Sequence, residues 1–431
     1  MKKKIIWTLM IALSLMVSCS SKKSNTTSFT DITVKEVLGN IMESGFTSDE
    51  YCSALNASRV SIEEHKRTFD EQVENIKKYG FQKMNFENAD FIKNNEFQSV
   101  NVLEHLAGSD NISVEDSIKA FETEIENRGL SSEIDLKVEL RDASGDAGQT
   151  DDMGAYPYNY GAVFDNLDKV KSGDMFFIVT PKLSLQMLGS GFYSMSDGKV
   201  PAYSGSGIST HLDSLGESVQ EVVEYDYYDK IKDKEYRLLD SDFKICDAAE
   251  NVIKYFTEES IFKPYEGVSL EAYDVTVFKV KDIYAYYFLL RRVYKGIPFS
   301  ASRPTSYRAD YQVTYDTKRA CTMDGKTVNS YVGTVACQVV DEKIEDQHSI
   351  LTMEQAAHIA ETSLADRLTF IVERVELQYS SWDINKDDRY HGRISFPCWE
   401  FTGVLPRDNR GMKVLVDALT GEVISYTFAI K

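Results

Sequence analysis

The chain has 431 residues, and its 68 Asp and Glu outnumber 48 Lys and Arg, giving a formal net charge of −20 at neutral pH. That sign disfavours nucleic acid, whose phosphates would be repelled, and a body lying flat on anionic lipid. With 25 Tyr and 22 Phe there is apolar material for real cores, spread over roughly two to four domains.

Lys2, Lys3 and Lys4 form a cationic start, followed by an apolar run from Ile5 to Val17 broken only by Thr8 and Ser14. The run is too short to span a bilayer as an ordinary helix and has the length and flank of a signal peptide. It ends in Met16-Val17-Ser18-Cys19, which resembles the lipobox of bacterial lipoproteins, although Met16 replaces the more usual Leu. The resemblance implies cleavage before Cys19 and acylation of its thiol, which would hold the protein on the outer side of a membrane in the cell envelope. Residues 1–18 are then a signal peptide and 19–30 a flexible tether of mostly Ser, Lys, Asn and Thr. No second apolar stretch reaches spanning length, so the remainder is expected to be soluble.

Residues 31–142 are expected to be a mostly helical α+β region. Val34, Val37, Leu38 and Ile41 share one helical face, Ile62, Phe69, Val73 and Ile76 another, and Gly80 stands where a helix should stop. A helix over Val114–Asn127 leads into an alternating strand, Ile134–Leu140. Residues 143–240 form a loop-rich β region around a buried strand, Met175–Val179. Residues 241–345 are expected to be an α+β module, with a helix starting near Asp242 and passing through Ala248, Ala249, Val252, Ile253 and Phe256 before a strand at Val268–Tyr273. The aromatic run Tyr284–Val293, which carries Arg291 and Arg292, is followed by a turn at Gly296-Ile297-Pro298. Another helix begins at Thr352, with Gln355 placed to complete a capping box, and a strand at Val375–Tyr379 follows. Helix-then-strand therefore recurs, and true repetition is expected of the last two occurrences. Val414–Asp417 and Val423–Tyr426 flank Ala418-Leu419-Thr420-Gly421-Glu422 as a hairpin.

Few residues are arranged for chemistry. The six histidines are scattered with no HExxH, Tyr203–Gly207 lacks the first Gly of a nucleophile elbow, and no Lys-Ser or Lys-Thr follows its glycines to make a phosphate loop. Asp383, Asn385 and Asp387 place oxygens at alternate positions like the start of a calcium loop, but Asp388 and Ile394 stand where Gly and Glu are required. An irregular calcium site and a solvated acidic loop both remain open there. Tyr156, Tyr158 and Tyr160 could stack on a sugar or bind a peptide, or form one face of a strand. Once Cys19 is acylated, five cysteines remain. Cys321 and Cys337 flank a segment with the pattern of a β-hairpin and are the disulfide candidates; five buried thiols are the alternative. No cofactor motif is present.

Leu351–Ile430 resembles a PepSY domain. The resemblance rests on the helix opened by Thr352-Met353-Glu354-Gln355-Ala356-Ala357, the strands that follow, and the closing Val414-Leu415-Val416-Asp417-Ala418-Leu419-Thr420-Gly421-Glu422-Val423. Upstream, Tyr286–Phe299 is similar to the Tyr-x-Gly-Ile-Pro segment of related modules in protease propeptides and secreted regulators. The resemblance implies a small sheet with a helix across it, without catalytic residues of its own, in residues 346–431. It also implies that such modules inhibit, chaperone or regulate other proteins. The expected fold is thus α+β: a helical N-terminal region, a loop-rich middle and two C-terminal helix-on-antiparallel-sheet modules. The expected function is a non-enzymatic, lipid-anchored envelope protein that binds or regulates another extracytoplasmic protein, with a peptidase as the partner class. A lipoprotein capturing a glycan or peptide through the Tyr-rich middle is the alternative. A hydrolase would need a convergent polar cluster that sequence does not display.

Overall fold

The computed structural model describes residues 59–106, 122–129, 137–141, 175–179, 184–188, 192–196, 221–260, 264–280, 283–301, 317–334, 338–344, 346–365, 368–387, 390–407 and 410–429. The fold is α+β. The chain begins with β1 (Val60–Ser61), α1 (Ile62–Tyr79), β2 (Met84–Asn85), β3 (Asp90–Phe91) and β4 (Leu103–Leu106). Helical residues 122–127 precede β5 (Lys137–Arg141), β6 (Met175–Val179), β7 (Ser184–Leu188) and β8 (Phe192–Ser196). Next come β9 (Glu221–Tyr227), a helical turn (Tyr228–Ile231) and a hairpin of β10 (Glu235–Arg237) and β11 (Asp242–Lys244). Then follow α2 (Ile245–Lys254), β12 (Val268–Val280), β13 (Ile283–Tyr294), β14 (Ile297–Pro298), β15 (Thr317–Thr322) and β16 (Ser330–Thr334). After β17 (Gln338–Glu342) and β18 (Ser349–Ile350), the chain ends in α3 (Met353–Ser363), β19 (Phe370–Asp387), β20 (Tyr390–Leu405), β21 (Arg410–Asp417) and β22 (Val423–Ala429).

Three units share one plan, where the sequence predicts true repetition of two. In each, a helix is followed by an antiparallel meander: β5-β6-β7-β8, then β12-β13-β15-β16, then β19-β20-β21-β22. One cross-strand row fixes the correspondence. Leu140, Phe176, Met187 and Tyr193 are directly opposite one another in the first unit. Val275, Phe288, Ala320 and Tyr331 hold the same places in the second. Val375, Phe401, Val414 and Tyr426 hold them in the third. In the second unit all four residues lie in the core beneath α2. Such a row is apolar because alternate residues of each strand face the helix and neighbouring strands stay in register.

The first two units join through their last strands. β8 pairs antiparallel with β16, so one ten-stranded sheet runs β5-β6-β7-β8-β16-β15-β13-β12-β9, with β14 as the tenth strand paired to β13. Ile125 from the 122–127 helix lies in the same core as Tyr255 and Phe256, which follow α2 in a π-helical turn (Tyr255–Glu259). The third unit builds a separate sheet that also takes in β2, β3, β4 and β17.

The core of the third unit is completed from far upstream. α1 starts at Ser61, whose hydroxyl accepts from the Glu64 amide at 3.1 Å, and stops at Gly80 with φ 70°. Glu63 and Glu64 in its first turn and Lys77 and Lys78 in its last suit the helix dipole. Its buried residues Ile62, His65, Phe69, Gln72 and Ile76 recur every three or four positions and pack beside α3. α3 carries the expected capping box, with Thr352 and Gln355 each accepting from the other's amide. The next amide, that of Met353, donates to the Gln72 side chain of α1 at 3.1 Å. At the far end of α3 the Glu361 carboxylate accepts from the amides of Gln82, Lys83 and Met84, which pins β2 to the helix. No helix among the described residues is long and apolar enough to cross a membrane.

Three local expectations shift. Asp242 lies in β11, and α2 begins three residues later without a side-chain cap. The turn expected at Gly296–Pro298 is a tight reversal at Lys295 (φ 47°) and Gly296 (φ 79°), after which Ile297 and Pro298 already run back along β13. Asp383, Asn385 and Asp387 lie on β19 and pair with β20 down to Asp387 opposite Tyr390, so this segment is extended strand rather than loop. Gly296 is constrained twice. Its φ is left-handed, and a Cβ there would come within 2.7 Å of the Phe97 amide nitrogen. Gly296→Ala should therefore cost about 2 kcal/mol or more, read as a lower urea midpoint with an unchanged slope; a wild-type midpoint would remove this account of the turn.

Candidate functional site

Of the residues singled out in the sequence, Cys19, Tyr156, Tyr158, Tyr160 and Cys337 lie outside the described residues. Cys321 is buried on β15. Asp383, Asn385 and Asp387 share a strand. Among the described residues no group of three or more His, Cys, Asp or Glu converges as a metal site would.

The densest chemistry lies where the second unit meets the third, in residues that no sequence motif marks as a site. On the third unit's sheet, Glu376 of β19 stands directly opposite Glu400 of β20, and both are buried. Two carboxylates facing each other in a sheet repel, and burial raises the cost. Cations on three sides compensate. Arg291, at 4% exposure, reaches over from β13 and grips Glu376 with both terminal nitrogens, at 2.5 and 3.0 Å. Its Nε donates to Glu271 of β12 at 2.6 Å. Arg374, two residues before Glu376, donates to it at 3.2 Å and to Asp229 at 3.2 Å. Lys413 of β21 pairs with Glu400 at 2.9 Å. Ser300, in the strip after β14, donates to Glu400 at 2.8 Å and accepts from Lys413 at 2.9 Å.

Aromatic rings enclose the charges. The Arg291 guanidinium lies 4.5 Å from the Tyr273 ring, and that of Arg374 lies 4.5 Å from the ring of Tyr227. Burial alone would lower the Arg291 pKa, but Glu376 and Glu271 outweigh it and hold the side chain charged. Burial likewise pushes Glu376 up, and Arg291 and Arg374 more than reverse it, so its pKa ends below the usual range. The strip containing Ser300 is stitched to the third unit by its own amide, which donates to the Tyr379 carbonyl at 2.8 Å. A bidentate Arg–carboxylate pair with further partners fixes orientation as well as charge.

Two other clusters contain residues used in catalysis elsewhere. His105 of β4 contacts the Ser395 hydroxyl at 2.8 Å, and Ser395 contacts Ser381 at 2.7 Å. Ser395 is fully enclosed and the His105 ring meets Phe299 edge-on, so the contact satisfies buried polar atoms where three strands meet. The second cluster is the closing turn that carries the PepSY resemblance. Asp417 accepts from the amides of Leu419 and Thr420 at 2.6 and 2.9 Å, while Gly421 takes φ 73°. Beside it Glu422 keeps one carboxylate oxygen buried without a hydrogen bond. Burial, reinforced by the neighbouring Asp417, lifts the Glu422 pKa to about 7.

No family model matches the chain, and no curated protein does. Among solved structures it is similar to an uncharacterized protein from Eubacterium rectale, at 12% identity and a TM-score of 0.45, over 83% of this chain and 98% of that one. It is also similar to the Bacillus megaterium YpeB C-terminal domain, at 12% identity and a TM-score of 0.31, over 74% of this chain and 99% of that one.

Removing Arg291 strands Glu376 beside Glu400. Arg291→Ala should cost about 3–5 kcal/mol in urea unfolding at neutral pH, whereas Arg291→Met combined with Glu376→Met should recover most of that loss. A loss below about 1 kcal/mol in the single variant would show that the junction does not depend on this pair. Glu422 sets a pH dependence. Its folded pKa lies above the unfolded value, so the protonated side chain favours the fold at low pH. That contribution is lost as pH rises from about 4.5 to about 7, on the order of 3 kcal/mol in all. Glu422→Gln should flatten the stability profile across this window and be the more stable form at pH 8; parallel profiles for the two proteins would contradict the assignment.

Proposed function

We propose that the protein is a non-enzymatic, lipid-anchored component of the cell envelope that binds and regulates another extracytoplasmic protein, with a peptidase as the partner class. The observation carrying this reading is the helix-on-antiparallel-sheet unit, built three times on one cross-strand row. In its last copy, β21 and β22 are joined by the Asp417–Glu422 turn, part of the segment on which the PepSY resemblance rests. Such a unit offers a sheet, a helix and strand edges, which are surfaces for recognition rather than for bond making. The Arg291–Glu376 clasp supports the same reading, because it holds the second and third units at a fixed angle and so presents their surfaces together. Cys19 supplies the anchor, and residues 19–30 the reach from the membrane.

Two measurements on one preparation test the proposal. Mass spectrometry of the mature protein should find an acylated N-terminal cysteine at position 19. Crosslinking in intact cells followed by affinity recovery should yield an envelope protein that a variant lacking residues 346–431 loses. An unmodified Cys19 thiol would overturn the anchor, and recovery of no envelope partner would overturn the regulatory role.

A further inference from the structure

The chain contains its own example of how these units associate. β8 and β16, the last strands of the first two units, pair antiparallel over five residues, with Phe192 opposite Thr334 and Ser196 opposite Ser330. The register places Ser194 opposite Val332 at the centre. The shared row makes Tyr193 and Tyr331 equivalent, so Ser194 and Val332 are equivalent too, and the junction has a local two-fold axis between them. The third unit has the same strand, β22, which among the described residues pairs with β21 alone.

The chemistry of the edges separates β22 from the other long edge strands, although the two-residue β2 is also uncharged. Of the strands of five or more residues that end a sheet here, three carry charge: Lys137, Glu139 and Arg141 in β5, Glu221, Glu224 and Asp226 in β9, and Asp341 and Glu342 in β17. Charges on an edge strand discourage further pairing. The two strands that pair between units carry none, being Phe-Tyr-Ser-Met-Ser in β8 and Ser-Tyr-Val-Gly-Thr in β16. β22, Val-Ile-Ser-Tyr-Thr-Phe-Ala, also has no charge and no proline, so its edge has the composition of a paired strand. Its Ser425-Tyr426 aligns with Ser330-Tyr331, opposite Leu415 and Val414 as those are opposite Cys321 and Ala320.

We infer that β22 pairs with the β22 of a second copy of this chain, continuing the third unit's sheet across a two-fold axis as β8 and β16 do within one chain. Thr427 is the residue equivalent to Ser194 and Val332. It therefore falls on that axis opposite its own copy, with Tyr426 opposite the partner's Phe428. The inference rests on the internal repeat and not on the regulatory reading, which would survive if the protein proved monomeric.

The test uses the full anchored chain in its own membrane. Thr427→Cys should give a dimer-sized band on a non-reducing gel after mild oxidation, reversed by thiol, because directly opposed strand residues approach closely enough for a disulfide. The wild-type chain and Glu139→Cys, on the charged β5 edge, should not. In detergent, the wild-type protein should sediment as a dimer at micromolar concentration. Thr427→Lys, which opposes two like charges on the axis, should weaken that dimer about tenfold or more while leaving the circular dichroism spectrum unchanged. A wild-type monomer, or a Thr427→Cys adduct containing a different protein or only one copy of this chain, would overturn the inference.

Discussion

A carboxylate facing a carboxylate inside a sheet cannot stand alone. Glu376 and Glu400 are paired across β19 and β20 and shielded from water, and among the described residues the third unit sets the cations Arg374 and Lys413 against them. The fork that closes the arrangement belongs to Arg291 of the second unit. The face of the third sheet is therefore incomplete until the second unit docks on it. A buried ion pair of this kind need not add net stability relative to apolar packing. What it adds is selectivity. Any other angle between the units leaves charges buried without partners, at a cost of several kcal/mol each. Tyr227 and Tyr273 sharpen this by placing ring faces beside the guanidinium groups, where a shifted orientation would lose both stacking and neutralisation.

The clasp also explains how a chain of local units becomes one body. Within each unit the meander pairs strands in their order along the chain. The contacts between distant segments include β8 with β16, β4 with β17 and β20, Arg291 with Glu376, and α1 with α3. Each uses backbone or charged groups that cost free energy if left unpaired, which is why each specifies a partner. Gln72 shows this at the scale of one amide, since it answers the Met353 amide at the start of α3, where the helix itself provides no acceptor. Because α1 is part of the third unit's core, β1 just before it lies beside that unit, paired with β18.

Much of this was readable in the sequence, and the unread part has a common cause. Periodicity placed α1 and its stop at Gly80, the capping box at Thr352 and the closing hairpin, because each depends on local spacing. The row from Val375 to Tyr426 and its counterparts were not visible, since its members lie on four strands separated by loops of different length. The expectation of repetition accordingly stopped at two units. Arg291 and Arg292 were noted only as cations within an aromatic run. That was the signal for the junction, because charge inside an otherwise apolar strand needs a buried partner, but the sequence does not show that the partner is Glu376, 85 residues away. Charge patterning misled at Asp383–Asp387, where alternating polar residues suggested a loop and the chain instead continues its hairpin.

Residue types associated with catalysis are spent in this fold on satisfying buried atoms. Ser300 bridges Lys413 and Glu400, and Ser395 bridges His105 and Ser381. Both lie where strands of different origin meet, as expected if a hydroxyl that both donates and accepts is the cheapest way to complete a mismatched pair of polar groups. A reactive serine needs the opposite arrangement, with an exposed oxygen and a base held ready for substrate. Glu422 differs from all of these. Its buried oxygen has no hydrogen-bond partner, and its proton is exchanged near neutral pH on the turn that delivers the chain into β22. Ionising that carboxylate stresses the connection between β21 and β22. β22 is thus attached to the unit through a turn whose stability changes near neutral pH.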